Sequence, residues 1–242
     1  MSNCQRVLTD LHGDAHDTVL VEQWGIHFLM LARAHRWLPV VKDGSWEQDQ
    51  RELFFDEIRR RDCRIGIDIG ANNGIYTLLM CREPGMEKTI SFEPCEPHFT
   101  MMRESLQING FETKCTPYRV ACSNEKSNKQ MYVFPDDTPS LNQLIETQIS
   151  SINNIRRLKA HIESVETARL DDILDFTGEN LAIKIDTEGH EHKVISGAAR
   201  LLEANQCFVQ IESFDERIIT TMSALGYRRV AKIKNDHYFS AE

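Results

Sequence analysis

The segment Leu181-Ala182-Ile183-Lys184-Ile185-Asp186 is an apolar strand pattern that carries two charges, and it runs straight into Thr187-Glu188-Gly189-His190. Side chains on a strand alternate between faces, so Lys184 and Asp186 share one face. Charges on so apolar a strand are costly unless they are paired or used. The segment therefore reads either as a structural ion pair or as proton-transfer machinery, with Lys184, Asp186, Glu188 and His190 as candidate catalytic residues. Upstream, Ile65-Gly66-Ile67-Asp68-Ile69-Gly70-Ala71-Asn72-Asn73-Gly74 has the layout of a buried strand, a glycine-punctuated turn and a helix start. Such a turn lets backbone approach a ligand closely and aims free N–H groups at it, which makes Asp68, Gly70, Asn72 and Gly74 candidate ligand-binding residues. Phe92-Glu93-Pro94 follows 25 residues after Asp68. One crossover helix separates the two motifs, so Glu93 comes to lie beside the glycine turn, where a carboxylate accepts both hydroxyls of a ribose.

The glycine turn does not suit a dinucleotide. The G-x-G-x-x-G fingerprint, started at Gly70, meets Asn72 and Ile75 where its second and third glycines belong. S-adenosylmethionine (SAM) has no pyrophosphate but a ribose, an adenine and a zwitterionic tail, and a wider polar turn with Asp68, Asn72 and backbone amides holds it better. An NAD-dependent oxidoreductase is the second enzymatic reading, and a strand–helix turn without a ligand is the structural one.

Taken in order, D-I-G-A-N-N-G from Asp68, F-E-P from Phe92, R-V-A-C-S at 119–123, A-R-L-D-D-I at 168–173 and K-I-D-T-E-G from Lys184 resemble the FkbM family of methyltransferases, over about residues 64 to 213. The resemblance implies a class I methyltransferase fold, SAM as cofactor, and methyl transfer to a hydroxyl oxygen of a sugar or natural product. By it, Asp68, Gly70, Asn72, Gly74 and Glu93 match the cofactor pocket and Ala121 and Cys122 lie by the adenine. Lys184, Asp186 and Glu188 line the reacting end, so that Asp186 serves the cofactor as well as the reaction. His190 departs from the small residue expected at its position, and is either an added acid or base or a surface histidine at a helix start. In-line methyl transfer to a hydroxyl needs alignment and a base, for which Asp186 or His190 is the expectation, with Lys184 orienting the carboxylate or stabilising the developing alkoxide. No bound metal is expected, although Asp186, Glu188 and Glu212 would offer magnesium the hard oxygens it prefers. The non-enzymatic alternative is a catalytically degenerate SAM-binding interaction module.

Positioning these motifs requires an α/β domain: a doubly wound, Rossmann-like, mostly parallel sheet with helices on both faces. The pattern predicts strands at 64–69, 88–93, 115–121, 180–186 and 206–212, with helices at 74–83, 95–109, 190–204 and 214–225. An antiparallel hairpin joined through Asn235-Asp236 closes the C-terminus. Ahead of the domain, 63–242, residues 1–62 read as a helical extension packed on the core, with helices at 17–38 and 47–61. The run Arg59-Arg60-Arg61 fits the second helix's last turn, where cations complement the dipole. Residues 135–165 read as a variable insertion, a turn at Pro135 to Pro139 followed by a polar helix from Leu141 to about Ile162.

The bulk properties narrow the partners. A net charge of −9 disfavours nucleic acid, because no cation excess exists to displace phosphate counterions. Seven cysteines without a C-x-x-C pair suggest neither a zinc knuckle nor a disulfide framework, and fit reduced thiols in the cytoplasm. No apolar stretch is long enough to span a membrane. The expected partner is a small-molecule or glycan hydroxyl acceptor, with the N-terminal segment free to pack on its own core or on a second copy in a homo-oligomer.

Overall fold

The computed structural model describes residues 5–9, 15–32, 37–134, 142–144 and 160–241. The chain starts with three antiparallel strands, β1 (Gln5–Thr9), β2 (Ala15–Gln23) and β3 (Ile26–Leu31), followed by helices α1 (Leu38–Lys42) and α2 (Gln48–Arg60). Then β4 (Ile65–Ile69), α3 (Ile75–Arg82), β5 (Lys88–Phe92), α4 (Glu96–Asn109) and β6 (Cys115–Tyr118) alternate. A second small sheet comprises β7 (Ala121–Cys122), β8 (Ser127–Val133), β9 (Gln143–Leu144) and β10 (His161–Ala168). The alternation resumes with α5 (Leu170–Ile173), β11 (Asn180–Ile185), α6 (Glu191–Ser196), α7 (Ala199–Ala204), β12 (Gln206–Glu212) and α8 (Arg217–Ser223). The hairpin of β13 (Tyr227–Ile233) and β14 (Asp236–Ala241) ends the fold.

The central sheet has seven strands in the order β13-β14-β12-β11-β4-β5-β6. The pairs joining β12, β11, β4, β5 and β6 are parallel, and β14 runs antiparallel to both of its neighbours. From β4 the chain winds outward through β5 and β6, and later in the other direction through β11 and β12. The switch point therefore lies between the carboxyl ends of β4 and β11, where a crevice opens in such sheets. Burial on both faces explains the unbroken apolar runs of the central strands. Leu181, Ile183 and Ile185 point into a core shared with Val194, Leu201 and Met222, whereas Ala182 faces the other core with Phe54, Leu78 and Phe208.

The helix expected at 17–38 is instead the β2–β3 hairpin. Its two loop residues, Trp24 and Gly25, both have positive φ (50° and 71°), as a tight hairpin turn requires, and a side chain at Gly25 would meet the Arg82 guanidinium at 2.8 Å. Val19, Val21 and Ile26 favour the strand, and the apolar spacings of three and four conceal it. Strand β3 docks its free edge on α4, where the Leu29 amide donates to Ser105 Oγ and the His27 amide to Asn109 Oδ1, both at 2.9 Å.

Other expectations shift in detail. The strand at 115–121 ends at Tyr118, and Ala121–Cys122 joins the small sheet. The helix at 190–204 divides at Gly197, where a Cβ would fall 1.9 Å from the Ser123 carbonyl oxygen, so the chain passes too close for a continuous helix surface. The C-terminal turn uses Lys234 and Asn235 rather than Asn235-Asp236. Of the polar helix expected over 141–162, residues 143–144 and 161–162 are strand, while 145–159 and the Pro135–Pro139 turn lie outside the described residues. The arginine run closes α2 as solvated structure, with Arg59 on Glu83 and Arg60 and Arg61 on Glu57. Among the described residues no helix is long and apolar enough to cross a membrane.

Candidate functional site

Register aligns a buried polar row across the sheet. Ser91, Asp68, Lys184, Gln210 and Tyr238 are successive neighbours on β5, β4, β11, β12 and β14. All five are at most 5% exposed. Asp68 Oδ2 accepts from Thr77 Oγ1 at 2.6 Å, whereas Asp68 Oδ1 is buried without a partner. Lys184 Nζ donates to Asp186 Oδ2 at 2.9 Å and lies 4.8 Å from the centroid of the Tyr76 ring. Burial alone would lower the Lys184 pKa, but the carboxylates of Asp186, Glu47 and Asp68 outweigh it and hold the ammonium charged.

At the switch point the backbone of β4 touches that of β11. The Asp186 amide donates to the Ile69 carbonyl at 2.9 Å, and Gly70, with φ of 77°, passes so close that a Cβ would meet the Asp186 carbonyl oxygen at 1.8 Å. Glu93 leaves β5 next door, 5% exposed. Its Oε2 accepts from the Asn72 amide and its Oε1 from the Cys95 amide, each at 2.8 Å. Burial pushes this carboxyl up to about 7 against the pull of the two amides.

Two chambers open here. The first, about 110 Å³, runs from Gly70 and Glu93 past Pro94 and Val120 to Ala121 and Cys122, and is closed by Met131 and Leu144 of the small sheet. The second, about 370 Å³, lies over Asp68 and Lys184 under walls of Met30, Trp37, Trp46 and Tyr76, with Glu47, Glu188 and Glu212 around it. Gly70, Asn72, His98, Asp186 and Glu188 line both. Of the six described non-glycine residues with positive φ, three (Glu47, Asn72 and Glu188) line the second chamber. Such backbone strain gathers where the surroundings must hold a fixed geometry.

The structure brings Asp68, Gly70, Asn72, Glu93, Ala121, Cys122, Lys184, Asp186, Glu188 and His190 to one or both chambers. Gly74 lines neither; with φ of 86° it caps α3, and a Cβ there would meet Met102 Cγ at 2.6 Å, so it sets helix packing. His190 is not a surface residue: it is 5% exposed, its Nε2 lies 3.0 Å from Ser123 Oγ, and it walls the first chamber only. Glu47, Tyr76 and His98 escape a sequence reading. Glu47 Oε2 accepts from the Tyr76 hydroxyl at 3.0 Å, a contact between segments 29 positions apart, and nothing in the pattern around Glu47 announces it. His98 is legible only as a polar residue in the first turn of a helix whose start faces the crevice.

The carboxyl groups around Lys184 crowd one another. Burial first, and then Asp186, raise Glu188 to about 8 and Glu212 to about 9, and Glu47 is raised to about 7 mainly by burial. Each starts from 4.5. Between that pH and their folded values the unfolded chain gives up protons that the folded chain keeps, so stability falls as pH rises. Thermal unfolding at about pH 5.5 is expected to give a higher midpoint than at about pH 8.5, and Glu212→Gln to add on the order of 1–2 kcal/mol of stability at pH 8.5 while flattening the pH dependence. A midpoint independent of pH would contradict this electrostatic picture.

Residues 68–229 match the family model of the methyltransferase FkbM domain. The chain belongs to the FkbM methyltransferase family. The doubly wound sheet is accordingly the class I methyltransferase fold, and the NAD-dependent alternative falls away. The FkbM match takes in the turn at Gly70, Glu93 and the whole Lys184–His190 segment, but not Met30, Trp37, Trp46 or Glu47. No curated protein matches the chain. In structure it is similar to a putative rRNA-methylase from Clostridium thermocellum, with 8% identity, TM-score 0.48, and coverage of 78% of this chain and 93% of that one. It is also similar to the N-terminal domain of human METTL16 in complex with SAH, with 12% identity, TM-score 0.47, and coverage of 97% and 87%. A third, precorrin-6y C5,15-methyltransferase from Geobacter metallireducens, has 14% identity, TM-score 0.43, and coverage of 80% and 86%.

Proposed function

We propose that this FkbM methyltransferase uses SAM to methylate a hydroxyl oxygen of a sugar, glycan or natural product. The observation that carries the reading is the pair of chambers meeting at Gly70 and Asp186. The first chamber suits the nucleoside of SAM, with Glu93 for the ribose hydroxyls and Ala121 and Cys122 beside the base. The unpartnered, buried Oδ1 of Asp68 suits the cofactor's ammonium group. When bound, SAM would supply a sulfonium methyl carbon open to in-line attack by an oxygen nucleophile, the carbon–sulfur bond breaking as the thioether leaves.

The chain's own residues then have distinct tasks. Lys184 holds Asp186 Oδ2, leaving Oδ1 to take the proton of the acceptor hydroxyl. Asp186 is preferred to His190 as the base because His190 walls only the first chamber and is engaged with Ser123. Trp46 and Tyr76 offer apolar surface to a ring face, while Glu47, Glu188 and Glu212 accept hydroxyl hydrogen bonds, a combination that favours a polyhydroxylated acceptor. The net charge of −9 disfavours a polyanion such as nucleic acid. Residues 1–62 act as an acceptor-side layer on the catalytic domain, 63–242.

Calorimetric titration with S-adenosylhomocysteine (SAH) tests the cofactor half without knowledge of the acceptor. A Kd in the micromolar range, about −8 kcal/mol, is expected. Glu93→Ala removes charge-assisted acceptors worth about 1.5–3 kcal/mol, so the affinity should fall by about 10- to 100-fold. Absence of heat at high SAH concentration would sink the reading.

A further inference from the structure

Glu93, Cys95 and His98 come together at the ribose end of the first chamber. The carboxylate oxygen, the thiol sulfur and an imidazole nitrogen lie within 4.8 Å of one another, on side chains that are 5%, 1% and 3% exposed. Local structure produces the grouping: Glu93 leaves β5, Cys95 immediately precedes α4, and His98 is in its first turn, three residues on. Glu93 and His98 both line the chamber, so the group opens onto it. We propose that these three residues bind a divalent transition-metal ion of the zinc type, with a fourth position open to the chamber, and that the bound ion excludes the cofactor.

Chemistry selects the ion. Thiolate, imidazole and carboxylate together suit zinc, whereas magnesium and calcium want oxygen alone. Ligand atoms on a tetrahedral zinc stand about 3.3–3.8 Å apart, so a group spread over at most 4.8 Å needs a small closure and no refolding. Three protein ligands with an open fourth position is the arrangement of a site that exchanges water or substrate. On binding, the Cys95 S–H bond gives way to a sulfur–metal bond and the proton leaves to solvent, with no change of oxidation state. Exclusion of the cofactor follows from Glu93, because a carboxylate committed to the ion no longer accepts the ribose hydroxyls. This second part rests on the SAM reading above, whereas ion binding itself does not.

The full chain, freed of metal with EDTA, is titrated with Zn²⁺ against a chromophoric chelator, then with Co²⁺, and SAH affinity is measured with and without Zn²⁺. One Zn²⁺ per chain, a thiolate-to-cobalt charge-transfer band, and SAH affinity at least about tenfold weaker under saturating Zn²⁺ are expected. Cys95→Ser should lose the band and weaken Zn²⁺ by at least about tenfold, while binding SAH without Zn²⁺ within about threefold of the parent. Equal Zn²⁺ affinity in the parent, Cys95→Ser and His98→Gln would overturn the site. So would a cobalt complex of the parent without the thiolate band, an observation that needs no variant to fold. SAH affinity unmoved by bound Zn²⁺ would overturn the exclusion, and failure of SAH to bind at all would strike the cofactor reading while the Zn²⁺ titration still decides the site.

Discussion

Asp186→Asn is expected to lower methyl transfer by about 10²- to 10⁴-fold while leaving SAH affinity within about threefold, because it removes the base of the proposed mechanism and keeps the shape. The Asp186 side chain stands at the junction of the two chambers, tied through Oδ2 to a lysine that is itself 5% exposed. An amide oxygen still accepts from Lys184 but does not take a proton from an alcohol near neutral pH. Deleting one member of a buried ion pair ordinarily costs about 3–5 kcal/mol, but Asp68 and Glu47 also face Lys184, and the unfolding midpoint should therefore drop only modestly. Methyl transfer from labelled SAM to a panel of hydroxylated sugars and metabolites gives the rate, and calorimetry gives the affinity. A variant as active as the parent would move the base to His98 or Glu188, which line the same junction. A degenerate binding module, in contrast, predicts no turnover in either protein.

Gly70→Ala should be the most disruptive single methyl group in the molecule's site. A Cβ there falls 1.8 Å from the Asp186 carbonyl oxygen, and both partners are backbone, so the β4 and β11 ends must separate. The left-handed φ of 77° adds about 1–2 kcal/mol for any residue with a Cβ. Together these effects should cost on the order of 3–5 kcal/mol, about 10 °C or more in midpoint, and abolish SAH binding by breaking the Asp186–Ile69 contact. Gly110→Ala is the control. It has a similar φ of 70° with nothing within 4 Å of the added Cβ, so only the backbone penalty of about 1–2 kcal/mol applies. Equal destabilisation of the two variants would mean that backbone freedom, and not the approach of the strands, is what Gly70 provides.

Much of this was written in the order of residues. The alternation of apolar strands and helices determined the parallel sheet, because only crossover helices join parallel neighbours. The strand ends carrying Asp68, Glu93 and Asp186 were thereby brought to one edge, since consecutive strands of a doubly wound sheet all point the same way. The motifs from Asp68 to Gly189 were likewise sufficient to recognise the family. These features are local, or follow from chain direction, and a linear pattern contains them.

Tertiary structure alone decided the rest. The β2–β3 hairpin looked helical because its apolar spacings fit both periods, and what settles it is the edge-on docking of β3 against Ser105 and Asn109, far away in sequence. Glu47 and Trp46 enter the second chamber only because that layer folds over the carboxyl ends of the strands. The raised carboxyl groups belong to the crowd around Lys184 and to no single residue, since burial and mutual repulsion are properties of the assembled site. His190, legible as a polar helix start, became a buried partner of Ser123 once Gly197 let α6 settle against the 123–124 backbone. Sequence patterns carry period and direction, whereas distances between segments, and hence pKa shifts and cavities, come into being only when the segments pack.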